Sequence, residues 1–592
     1  EVYQVYKILD KDAVEEFGHM NVPGRLIELK ILQPDGRVLE PIDAEGQGVF
    51  NLPGLDVGSI IVLRHALYRQ ATPGTPLDLG GFFFQDTDGT MPFLFSRYIV
   101  SLPKGLDITK RSKIPSAFQE ERLNREDSIV YVFSARQVPV AEKEILMPPD
   151  KEAFPNVEMH QSLNWTQVCQ NMANQHYGSV RLTEELKKQA IETTKGLEAY
   201  TDKAMMIYGF VNDHVREDRG SGDATLTLIE KQGSRINLFM ALMNAAGLEF
   251  DYLRCGFRDG YLAVPPDWSD VSGGLLPNEL VRLRPMGSEP MLLCFDSRLT
   301  PFGEIPHYLF GAPAMKVTGR PDRIETLPGG NPSSWLEEEI ELNISVNFLD
   351  GLIKGKLCLP GNTRIRFRES LERMDANARR NLFEYNVIRG IYPGAKVKDL
   401  KILGIDDDET VPTFAFELEA KDFIFPVGEK EGCRLLPVPM NMTGRFIRKT
   451  ERAFPMINRG YSSYRFVMNM DLNNEYKVTS LPESLVVRNF FINYSLICSK
   501  TETGIRIERL ADFSPADVAP HQYAELIGLL KAIDEREIEP IILLRTGTPS
   551  TESRGDEEAK KEKSPDTGNT VPKTEEKKKP GEREPEPATP KK

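Results

Sequence analysis

Amide chemistry on a side-chain nucleophile needs a thiol or hydroxyl within hydrogen-bond reach of a base. This 592-residue chain offers few: six cysteines, at 169, 255, 294, 358, 433 and 498, and seven histidines. No cysteine lies between Cys169 and Cys255, and no histidine between His214 and His307. Inside both gaps is the turn Lys231-Gln232-Gly233-Ser234-Arg235, which leads into Ile236, Phe239, Met240 and Met243. That i, i+3, i+4, i+7 spacing predicts an amphipathic helix, with Gly247 at its left-handed C-terminal cap. Ser234 supplies a hydroxyl, but Glu279 is a poor base for it unless its pKa is raised, and a serine here reads first as a helix cap. Cys255 follows a strand and Cys294 sits on an apolar one, so both read as buried small hydrophobes. The cysteines form no Cys-x-x-Cys pair, and glycine-rich phosphate loops are absent, so no metal and no cofactor is expected. Asp517 reads as a cap for a helix beginning near His521.

The elements around the turn follow from periodicity and turn chemistry. Residues 1–150 carry short apolar or alternating runs, Leu26–Leu32 and Ser59–Arg64 among them, broken by Pro34-Asp-Gly36 and Pro53-Gly54. They predict an antiparallel β-sandwich. Residues 156–325 turn helical, with a helix opening at Trp165, a second capped by Thr183 and a third after Thr201-Asp202. Strands follow at Phe250–Gly256, Glu279–Leu283 and Met291–Phe295. Residues 330–545 read as mainly β with helical stretches near Phe367–Leu382 and His521–Ala532. Residues 546–592 hold no aromatic side chain and almost no aliphatic one. Such a composition cannot bury enough surface to offset chain entropy and predicts a disordered tail.

Three groups of motifs, in order, resemble a bacterial arrangement of an N-terminal β domain of unknown function, a transglutaminase-like domain and a C-terminal β domain of unknown function. The first group is Tyr6-Lys-Ile-Leu-Asp10, Leu32-Gln-Pro-Asp-Gly-Arg-Val38 and Leu55–Val62. The second is the helix above with Phe295-Asp-Ser297 and Pro301–Pro306, and the third is Val518–Ala524 with Ile533-Asp-Glu-Arg536. The resemblance covers residues 1–545 and implies an α+β fold with a papain- or transglutaminase-like core between β-sandwiches. It also implies that the first β domain begins upstream of these motifs. In such a core a cysteine at the helix N-terminus, where the dipole lowers its pKa, is activated by a histidine on the next strand and an aspartate on the following one. Carried over position by position, Gln232 stands where the cysteine belongs, or Ser234 or Arg235 if the turn is gapped. Glu279 stands where the histidine belongs, and only Asp296 matches. His307 is a possible cleft residue, with Ser234 and Arg235. The dipole disfavours Arg235 in the first turn, so an ion pair from Arg235 to Asp296 or Glu279 is expected.

Composition narrows the function classes. The formal net charge is -14, and the last 47 residues hold 11 acidic and 11 basic side chains, so the rest carries the whole excess. An acidic surface repels phosphate backbones, and the Lys577–Lys579 run belongs to a neutral mixed-charge tail, so nucleic-acid binding is not expected. No apolar run reaches the ~18 residues of a membrane span. The chain opens at Glu1 with no signal-like segment and reads as a processed form; the resemblance implies the bacterial periplasm or cell surface. The expectation is a catalytically inactive transglutaminase-like protein that binds or scaffolds a peptide or protein partner. The alternatives are an amide hydrolase or acyl transferase using non-standard residues in the same cleft, and a spacer tethered by its tail.

Overall fold

The computed structural model describes residues 1–43, 48–68, 77–115, 118–162, 165–256, 276–329, 335–361, 363–372, 374–405, 410–458 and 460–546. The tail expected to be disordered lies outside the described residues, apart from Thr546. The architecture is α+β, with sheet-rich regions on either side of a helical one.

The first 161 residues build two separate sandwiches rather than one. In the first, Val2–Lys7, Ile60–Ala66, Arg25–Leu32 and Val38–Leu39 form an antiparallel sheet in that spatial order. A small sheet of His19–Asn21, Val49–Asn51 and Ile42–Asp43 faces it across Met20, Leu29, Ile31, Leu52 and Ile61. In the second, the sheet Ile108–Lys113, Asn156–Gln161, Asp78–Phe83 shares a core of Phe84, Val100, Phe133 and Val157 with the sheet Gln119–Asn124, Ser128–Val138, Phe93–Pro103. Asn156–Gln161, which the sequence places in the helical region, thus pairs back into this sandwich.

The helical region packs Glu184–Thr193, Tyr200–His214 and Ala224–Glu230 around the central helix Arg235–Ala245, while Trp165–Ser179 reaches the neighbouring sheet through His176, which stacks on Tyr252. Thr183 caps its helix by accepting from Leu186 N. Leu238, Phe239, Met240, Ala241, Leu242 and Met243 of the central helix are fully buried, so it is apolar all round, as a helix enclosed by others must be. It ends as its sequence predicts, with Gly247 at φ 69° and Leu248 N donating to Met243 O at 2.9 Å. A five-stranded antiparallel sheet lies against it, in the order Met291–Leu293, Asn278–Leu283, Phe250–Cys255, Pro313–Lys316, Ile324–Thr326.

The C-terminal region is built on an eight-stranded sheet. It is antiparallel throughout except where Leu336–Asn347 runs parallel to Ser462–Asp471. The helix Thr363–Glu372 is pinned to this region by Arg368, which is fully buried and donates to the Gly404 and Thr410 carbonyls. Asp517 lies on the strand Ala516–Val518 rather than capping a helix; the following helix, Tyr523–Ile538, starts only after a 3-10 turn at Pro520–Gln522. The N-terminal and C-terminal regions also touch. Arg452 and Glu144 form a buried ion pair at 3.2 Å, and Arg452 Nη2 donates to Ile145 O at 2.7 Å.

One buried charge is central to the C-terminal core. Glu537, wholly buried, accepts from Tyr494 Oη at 2.9 Å and Arg509 Nη1 at 3.2 Å. Removing the cation leaves a dry, uncompensated carboxylate, so Arg509→Leu should cost ~3–5 kcal/mol in urea unfolding, with Arg509→Leu/Glu537→Gln recovering much of the loss. Equal losses in the single and double variants would contradict this.

Candidate functional site

The central helix is reached through a narrow turn. Lys231 ends Ala224–Glu230 in the left-handed conformation, and Gly233 follows at φ 129°. A Cβ on Gly233 would stand 2.4 Å from Thr227 Oγ1 and 2.6 Å from Ser221 O, so only glycine fits. The loop 216–221 runs beside the turn: Arg216 N donates to Lys231 O at 3.0 Å and Gly233 N to Glu217 O at 2.9 Å. Gln232 is exposed. Ser234 is the cap, accepting from Asn237 N at 3.3 Å.

Arg235 is buried and paired, but not with the expected carboxylates. Its Nη1 lies 3.3 Å from Asp218 Oδ2, and its backbone N donates to Asp218 Oδ1 at 3.4 Å. The two paired loops carry Asp218 over the helix start, a contact across 17 residues that no periodicity announces. Glu279 instead takes Arg254 and the Tyr252 hydroxyl, both from the adjacent strand. Arg254 is fixed in turn by donating from Nε to Leu276 O at 2.8 Å. Asp296, on the loop after Met291–Leu293, accepts from the Tyr308 hydroxyl. Burial raises the Asp218 pKa; Arg235 counters it, while Asp296 and Glu279 push it up further. Asp218 therefore lies within the electrostatic reach of the other two carboxylates. His307 lies elsewhere, with its Cδ2 edge toward Gly460 of the C-terminal region and Glu337 and Arg366 in its field.

Residues unmarked by the sequence complete the site. The His176 ring stacks on Tyr252 with centroids 4.5 Å apart. Burial lowers its pKa, opposed by Glu279, and its buried Nδ1 has no partner among the described residues. It sits on the helix Trp165–Ser179, distant in sequence from the strand Asn278–Leu283 where a catalytic imidazole was sought; only its place among apolar spacings could have drawn notice. The thiols nearest the site are inert. Burial pushes Cys255 up to about 12 and Cys294 higher still, with Asp296 adding to both. At neutral pH neither is a thiolate. Among the described residues no group of His, Cys, Asp or Glu could hold a metal ion.

The geometry thus holds a helix start capped by a serine, with no thiol or imidazole at the turn and each carboxylate already engaged. Residues 434–543 match the model of a domain of unknown function with a solved structure, DUF3858. Over nearly its whole length the chain is also similar to the crystal structure of a "putative protease" from Parabacteroides distasonis. The match has 12% identity, covers 92% of this chain and 91% of that one, and has a TM-score of 0.52. At that identity the likeness is one of fold, and it fits a multidomain bacterial protein. No curated protein matches the chain.

Two outcomes follow. An aromatic disulfide reagent at pH 7 should modify Cys255 and Cys294 only as fast as the fold opens; rapid selective modification of either would reveal an activated thiolate. His176 gives a pH signature. Its folded pKa is depressed, so its contribution is complete above the unfolded value of ~6.5 and is lost as pH falls from there through the folded value. His176→Phe should flatten the fall of the unfolding midpoint between about pH 7 and pH 5.5. His307, depressed by burial too, keeps part of the slope in both proteins. An unchanged slope would mean that His176 is not held neutral by the fold.

Proposed function

We propose that this chain is a pseudoenzyme: a transglutaminase-like domain flanked by β domains, without acyl-transfer chemistry, that holds a peptide or protein segment in the bacterial cell envelope. The observation that carries this reading is the engagement of Glu279. It stands where a base would act, yet an arginine and a tyrosine of the neighbouring strand take it, so Ser234 and Gln232 have no proton acceptor there. The site's polar groups and a sheet edge suit recognition instead. Met291–Leu293 is an edge strand of the five-stranded sheet and leads directly to Asp296, an arrangement that suits an extended peptide added to the edge. Periplasmic or surface location and three-domain organisation rest on the family resemblance.

The rival reading, an amide hydrolase with other residues in the same cleft, is favoured by the protease-like neighbour. Asp296 with Tyr308 would be its acid–base pair. The test uses the full chain in two assays. Extended peptides should bind without being cut, and binding should weaken at least ~5-fold in Asp296→Asn, as loss of one polar contact implies. Peptide hydrolysis, or amine incorporation into glutamine substrates, that persists through purification and disappears in Asp296→Asn would establish the rival.

A further inference from the structure

The site is not open to solvent on all sides. The loop that carries Asp296 continues through Ser297, Arg298 and Glu304, and each of these three side chains is bonded to one helix of the C-terminal region. The Ser297 hydroxyl donates to Glu369 and Arg298 pairs with Glu372. Arg364 Nη2 bridges both Glu304 oxygens at 3.0 Å each. All three helix residues belong to Thr363–Glu372, in whose first turn Thr363 N donates to the Glu337 carboxylate at 3.1 Å. Glu369 also lies within the electrostatic field of Arg235, at the start of the central helix.

Polar contacts on this side contrast with apolar ones on the other. Trp335 and Tyr461 of the C-terminal region stack at 4.0 Å and pack against the core of Leu253, Cys255, Leu280 and Leu309. An apolar contact keeps its strength in salt, whereas part-exposed ion pairs are screened and individually weak. Arg368 anchors the helix to its own sheet, so the helix moves with the C-terminal region as a unit.

We propose that the helix Thr363–Glu372 is an ionic latch over the relic cleft, and that a peptide reaches Asp296 and the helix start only when the latch parts about the Trp335–Tyr461 contact. The proposal rests on the reading of the cleft as a peptide site, but its test does not need a peptide. A Ser234→Cys reporter in the full chain is labelled with a bulky maleimide, and the labelled position is confirmed by peptide mass mapping. Arg298→Glu should speed labelling by at least ~5-fold, raised salt should act in the same direction, and Arg298→Glu/Glu372→Arg should restore the slow rate. Equal rates in all three proteins would overturn the latch. Should the reporter disturb the helix cap, hydrogen exchange of the Ser234–Asn237 amides in the same latch variants gives the same comparison. Peptides that fail to bind even to the opened variant would sink the peptide-site reading and leave the latch standing.

Discussion

A guanidinium buried at the positive end of a helix has to be neutralised on the spot. Arg235 is that group, and the surroundings of the site follow from it. Its desolvation and the helix dipole both disfavour the charge, and Asp218 offsets them only because the loop 216–221 is stitched to the turn by backbone hydrogen bonds. Asp218 feels the charges of Glu279 and Asp296, which are themselves held by Arg254, Tyr252 and Tyr308. The tight turn at Gly233 fixes the spacing, since any side chain there would collide with Thr227 and Ser221. Each charge at the helix start is thus matched by a partner.

Local pattern announced the elements of this site, and long-range contact decided its partners. The central helix, its serine cap and its glycine end were legible because each is a signal within a few residues. Glu279 or Asp296 was expected to pair with Arg235, and each is held by other partners instead. The partner of Arg235 was not legible: Asp218 lies in an irregular loop, and no rule of spacing chooses among three nearby carboxylates. His176 was missed for a similar reason, being one histidine on a helix of mixed pattern.

The same contrast holds for the sheets. Apolar or alternating runs marked Leu26–Leu32 and Ser59–Arg64 as strands, yet the division of the first 161 residues into two cores depends on which strands pair, and Asn156–Gln161 pairs back into the second of them. Register in such sheets is set by which face is buried, a property of the partner as much as of the strand. The latch residues were equally silent, since carboxylates on an exposed helix face look like ordinary solvated charges until a second region is placed against them.

The strand Ile541–Arg545 has a consequence for how this chain is made. It is an inner strand, paired on one side with Lys430–Cys433 and on the other with Tyr476–Ser480. A polypeptide leaving a ribosome presents its residues in order, so Lys430–Cys433 must wait unpaired along one side, and Tyr476–Ser480 without its partner strand, until residue 545 has emerged. Exposed strand edges invite wrong pairings, and non-local pairings form slowly. During synthesis this sheet is therefore exposed to wrong pairing until its last strand arrives, and a cut just upstream of Ile541 would remove the middle of a sheet rather than trim its margin.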